Sequence, residues 1–161
     1  MSLTDRFKEC LGSWASGVSV VTTRHDGLLY GLTVSSFSSV SLDPPLVSVC
    51  ISNGNRAAGM IEDSGWFAVS VLSSQQEEAS NYFARPGRLP TAGFVEIDGA
   101  WTLSGLPIVK DAVGWCVCDV SQAVPAGDHT VFIGAVREAG ADEDREPLLY
   151  WRRGYRRLLL P

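Results

Sequence analysis

Histidine and cysteine are scarce in this chain: two and four among 161 residues. Cys10, Cys50, Cys116 and Cys118 show no Cys-x-x-Cys spacing, which argues against a structural zinc site and for reduced thiols. No two of the sixteen glycines stand two apart, so the Gly-x-Gly-x-x-Gly dinucleotide fingerprint does not occur. Gly12–Gly17 and Gly54–Gly59 have phosphate-loop spacing, but Val18 and Met60 occupy the position that needs lysine. Gly-x-Ser-x-Gly, His-Glu-x-x-His and an EF-hand loop are absent too. No uninterrupted apolar run is long enough to cross a bilayer. The opening residues Met1 to Arg6 lack a basic stretch followed by an apolar one, which argues against export and for a cytoplasmic location. A formal charge of −5 gives the chain as a whole no attraction for nucleic acid.

What the chain does have is apolar residues, at 45%, against only 19% charged. That balance excludes a disordered chain and predicts more buried or paired surface than a small monomer carries, with a homo-oligomer interface as its place. The length fits one domain over 1–161. Phe7, Cys10, Leu11 and Trp14 form one helical stripe, with Ser2 or Thr4 as cap and Gly17 as stop. Helices are also expected over Arg56–Glu62 and Gln75–Phe83, the latter opened by a Ser74/Glu77 capping box. Strands are expected at Ala15–Thr23 and Leu28–Leu32, joined by an Asp26-Gly27 turn, and at Leu46–Ser52 and Trp66–Leu72. The second half predicts strands at Phe94–Ile97, Ala100–Leu103, Val113–Val124, Thr130–Glu138 and Leu148–Trp151. Many short strands with a few short helices give a β-rich α+β barrel.

Six of the nine residues from Thr33 to Ser41 are Ser or Thr. Alternation fails from Thr33 to Phe37, so a bulge or loop is expected there. Such a row of hydroxyls suits a flat ring with heteroatoms along its edge, although composition alone favours the solvated face of a strand. Ser52, Asn55 and Arg56 lie where a strand passes into a helix, so free amides and the positive dipole end face an anion, with Arg56 adding charge. The same residues also read as a plain helix cap. His129 sits in a turn between two strands, whereas His25 reads as a hairpin residue only. Arg152, Arg153, Arg156 and Arg157 place four of thirteen basic charges within six residues. Cys116 and Cys118 share one strand face and belong to the core.

In order and spacing, several segments resemble the flavin reductase family with the FMN-binding split-barrel fold, the reductase components of two-component flavin-dependent monooxygenases. They are Phe7 to Thr23; Gly31 to Pro45 with Leu46-Val47; Ser52 to Arg56; Gly127-Asp128-His129-Thr130; and Pro147 to Trp151 with Tyr155. Together they span nearly the whole chain. Ser35-Ser36 departs from the Asn-Ser of many relatives. The resemblance implies a split β-barrel with a few short helices that transfers hydride from NADH (or NADPH) to FAD (or FMN). Free reduced flavin would then pass to a partner monooxygenase. A homodimer is expected; a non-catalytic flavin- or haem-binding carrier or sensor is the alternative. The resemblance places Thr33, Val34, Ser35, Ser36 and Ser39 along the flavin ring, with Cys50 and Ile51 at the ring or ribityl chain. Ser52, Asn55 and Arg56 fall at the phosphate, and Phe83, Ala84 and Arg85 at the dimethylbenzene side or phosphate. It gives His129 to the nicotinamide and the reactive face, and sets Tyr155 near the neighbouring subunit's ligand site.

Overall fold

The computed structural model describes residues 1–94 and 97–158. In chain order the elements are α1 (Leu3–Ser13), β1 (Ser16–Gly17), β2 (Ser19–His25), β3 (Leu28–Val34), β4 (Ser38–Leu42), β5 (Pro45–Ser52), α2 (Arg56–Ser64) and β6 (Trp66–Val71). Then follow α3 (Glu77–Ala84), β7 (Gly99–Trp101), β8 (Pro107–Val109), β9 (Gly114–Ala126), β10 (His129–Ala141), β11 (Leu149–Trp151) and β12 (Gly154–Arg156). Seven strands form one antiparallel sheet in the order β3-β2-β6-β9-β10-β5-β4, and β1-β11-β12 form a smaller one.

Alternation along these strands decides which face is inside. Val21, Tyr30, Leu32, Val49, Ile51, Phe67, Val69, Cys116, Cys118 and Phe132 belong to one buried cluster. Strands near both ends of the sheet order thus share a core, so the sheet curls around it. Its edge strands β3 and β4 are not hydrogen-bonded to each other among the described residues, and the barrel is split there. Helix α2 adds Ala57, Ala58 and Ile61 to this core. Val20, on the opposite face of β2, and Val18 just before it join a second cluster, with Leu72, Leu148 and, from α3, Ala79 and Phe83. Burial of each large side chain, Phe67 or Phe132 for example, stabilises by about 1.5–3 kcal/mol.

Gly134 shows how tightly the barrel is filled. A Cβ there would lie 2.6 Å from Cys118 Cβ and 2.6 Å from Phe67 Cζ. Gly134→Ala is therefore expected to lower unfolding stability by about 1–3 kcal/mol. Urea unfolding measures this, and an unchanged midpoint would show that the core yields.

The expected elements are present, with local differences. Helix α1 ends at Ser13 instead of near Gly17, because Trp14 is already extended. Its cap is Ser2, in a reciprocal box with Asp5. The stripe Phe7, Leu11 and Trp14 remains 59%, 55% and 75% exposed, and α1 buries nothing. The Ser74/Glu77 box does not form: α3 starts after Gln76, which accepts from Ser73 N–H (2.9 Å) and donates to Lys110 O (2.6 Å). Of the strand expected at Phe94–Ile97, Val95 and Glu96 lie outside the described residues. Phe94 and Ile97 are not in a strand and pack on the second cluster. Strands β4, β8 and β12 lie outside the expected strands.

Candidate functional site

Beyond Ser52 the chain turns before entering α2. Asn55 caps that helix through its side-chain oxygen, which accepts from Ala57 N–H at 3.0 Å. Asn55 N–H donates to Ser52 O at 2.9 Å. The amides of Gly54 and Arg56 enter no hydrogen bond among the described residues, so they are free at the positive end of the helix. Arg56 makes no ion pair among those residues.

The β9–β10 turn is fastened to this corner. His129 lies directly opposite Ser52 in the β5–β10 ladder, and opposite residues share a face. Asn53 N–H donates to Asp128 O at 3.0 Å, while Thr130 Oγ1 donates to Asn53 Oδ1 at 2.8 Å. The imidazole is 44% exposed, and its Nδ1 stands 2.7 Å from Asp128 Oδ1. That hydrogen bond, and then the imidazole's charge, hold the Asp128 carboxyl below its ordinary range.

A cleft of about 590 Å³ opens beside the corner. Tyr30, Leu32, Thr33, Ser52, Gly54, Asn55 and Arg56 line one side, and the 83–88 segment lines the other. Among the described residues three arginines and no acidic side chain line it. Arg85 stacks over Tyr82 at 5.4 Å. Arg88 donates to Gly31 O and, at 3.3 Å, to Phe83 O, with its guanidinium over the rings of Tyr30, Tyr82 and Phe83. This residue and Tyr30 escaped the sequence reading. The one signal for Arg88 is that a second arginine follows the Pro86-Gly87 turn.

Thr33 and Ala84 also border a second recess, of about 190 Å³, so the two spaces adjoin. Its walls include Val18, Val34, Ser35, Ser80, Tyr150 and Tyr155. Thr33 Oγ1 donates to Ser80 O at 2.7 Å. The Tyr155 hydroxyl donates to Asn81 Oδ1 at 3.0 Å and, that proton being committed, accepts from Ser80 Oγ at 2.8 Å. Tyr155 thus reaches the recess within its own chain.

The remaining expected residues separate. Ser35 is exposed, and the amides of Ser35 and Ser36 have no partner among the described residues. The Ser36 hydroxyl is occupied: it donates to Cys50 O and accepts from Cys50 N–H, both at 3.0 Å. This clamp stands in for a strand neighbour where the chain leaves β3. Val34 and Ile51 point into the barrel core at 8% and 1% exposure, and Phe83 packs in the second cluster at 3%. Cys50 is half-buried on the face shared by Ser52 and His129. Ser39, opposite Val47 on β4, borders a separate apolar recess with Phe37, Leu42 and Trp115.

Comparison with known proteins gives the family. Residues 11–159 match the family described as Flavin reductase like domain. The chain is 38% identical over 159 residues to the reductase component of 4-hydroxyphenylacetate 3-monooxygenase from Thermus thermophilus, with 99% of each covered. It is 41% identical to a flavin reductase (NADH) of Kitasatospora aureofaciens, covering 95% of this chain and 81% of the relative. It superposes with a TM-score of 0.91 on the Streptomyces globisporus NADH:FAD oxidoreductase SgcE6, solved in complex with NAD and FAD fragments. Identity there is 32%, over 99% of this chain and 96% of that one.

Proposed function

The chain belongs to the flavin reductase family, and from that premise we propose that it is the NADH-dependent reductase of a two-component monooxygenase, reducing FAD and releasing it to a partner oxygenase. The observation that carries this reading is the free N-terminus of α2 on an arginine-lined cleft, with the His129 turn fastened to the same corner through Ser52 and Asn53. Flavin, when bound there, supplies the acceptor for the nicotinamide hydride.

The residues present fit such a guest. Free amides at Gly54 and Arg56, with the Arg56 guanidinium, suit a phosphate. The free amides of Ser35 and Ser36 suit the carbonyl edge of a ring, and a donor there stabilises added negative charge. Thr33 and Ala84 stand between the two recesses, and Tyr155 closes the far wall. Arg88 adds a second cation to the lining that holds Arg56, which favours FAD, with two phosphates, over FMN, with one. His129, on the face of Ser52, is the residue that meets the hydride donor. The cleft has no glycine-rich pyrophosphate clamp, consistent with a flavin that leaves after reduction.

The active form in this proposal is a cytoplasmic homodimer of a one-domain chain. Leu3, Phe7, Leu11 and Trp14 leave α1 with an apolar face for a second copy. Among the described residues no helix is long and apolar enough to cross a membrane. Sedimentation equilibrium is expected to give twice the chain mass, and Phe7→Glu with Leu11→Glu is expected to return the monomer. Release of reduced flavin is tested by confining the protein and NADH regeneration behind a dialysis membrane, with a flavin-dependent oxygenase outside. Product formation outside supports release. NADH oxidation with no product outside contradicts it.

A further inference from the structure

The carboxylate of Asp128 stands beside the His129 ring in the β9–β10 turn. Gly127 and Asp128 are the two turn residues between β9 and β10, since Ala126 pairs with His129 and Gly127 has φ +64°. Asp128 is 94% exposed, and nothing in the core requires it. Its backbone is nonetheless fixed, because Asn53 N–H holds its carbonyl at 3.0 Å and Thr130 Oγ1 holds Asn53 at 2.8 Å. That places its Oδ1 at 2.7 Å from His129 Nδ1.

An ionised carboxylate only accepts, so the shared proton sits on Nδ1. The hydrogen bond at one ring nitrogen then decides the state of the other. In the neutral ring Nε2 carries a lone pair, and it has no partner among the described residues. We propose that Asp128 is a positioning residue, holding His129 as the Nδ1–H tautomer with Nε2 free as an acceptor beside Ser52. The ring's rotation is fixed by the same bond. An Nε2 acceptor recognises an N–H donor, and the primary carboxamide of a dihydronicotinamide is such a donor. This inference rests on the reading of His129 given above.

The test uses the full-length protein with added FAD. Asp128→Ala is expected to lower kcat for NADH oxidation about tenfold, part of what a positioned acid–base group contributes, with flavin affinity unchanged. Asp128→Glu, which can still reach Nδ1, is expected to recover most of it. Imidazole ¹⁵N shifts should report Nδ1–H in the parent and a shift toward Nε2–H in Asp128→Ala. The parent should also prefer NADH to the reduced 3-acetylpyridine analogue, which lacks the N–H donor, more strongly than the variant does. An unchanged tautomer, or an unchanged kcat in Asp128→Ala while His129→Ala is impaired, overturns the proposal alone. Full activity in His129→Ala overturns both it and the role of His129.

Discussion

His129→Ala is expected to reduce NADH turnover about a hundredfold, the lower range for loss of a positioned proton donor or acceptor, with flavin affinity unchanged. The imidazole is half-exposed and, among the described residues, bonded only to Asp128, so its removal leaves the buried clusters intact. The anion corner keeps its free amides, because Asn53 N–H bonds the Asp128 carbonyl, which alanine at 129 leaves in place. Steady-state kinetics with saturating FAD, alongside a flavin fluorescence titration, separates the two effects. Equal loss of binding and turnover would make His129 a flavin-binding residue instead.

Arg56→Ala is expected to do the reverse, raising the flavin KM by about tenfold to a hundredfold while kcat stays near the parent value. A hydrogen bond to a charged group contributes about 1.5–3 kcal/mol, which corresponds to that range. Arg56 opens α2 beside two unpartnered amides and has no ion pair among the described residues to release, so its charge is available to a phosphate. Both flavins carry the phosphate next to the ribityl chain, so FAD and FMN should be affected alike. The effect should also shrink as salt rises, because an exposed guanidinium is screened. A KM unchanged for both flavins would move the phosphate away from α2.

How much of this was readable in the residues depends on the range of the interactions involved. Strand alternation and the Asp26-Gly27 turn are local, and β2, β3, β5 and β6 fall where those signals put them. The Ser52–Arg56 corner was readable because Asn55 caps its own helix. Its meeting with Gly127–Thr130 followed only from the resemblance, since the ladder between β5 and β10 joins distant segments. The hydroxyl-rich stretch was legible as a composition but not as a geometry. The chain breaks after Val34, so Ser35 faces one recess, Ser36 is consumed by Cys50, and Ser39 continues on β4 toward another. Arg88 was invisible because its carbonyl partner Gly31 and the ring of Tyr30 come from β3. The unformed Ser74/Glu77 box has a physical reason too: Gln76 takes the Ser73 amide and Lys110 carbonyl, so the helix starts later.

The most direct test of the central claim is anaerobic NADH oxidation by the purified protein, with FAD, FMN or no flavin added. The account predicts loss of NADH matched by bleaching of added flavin, saturating at lower FAD than FMN and negligible without flavin. Flavin that binds but is never reduced by NADH would contradict it and leave a carrier or sensor.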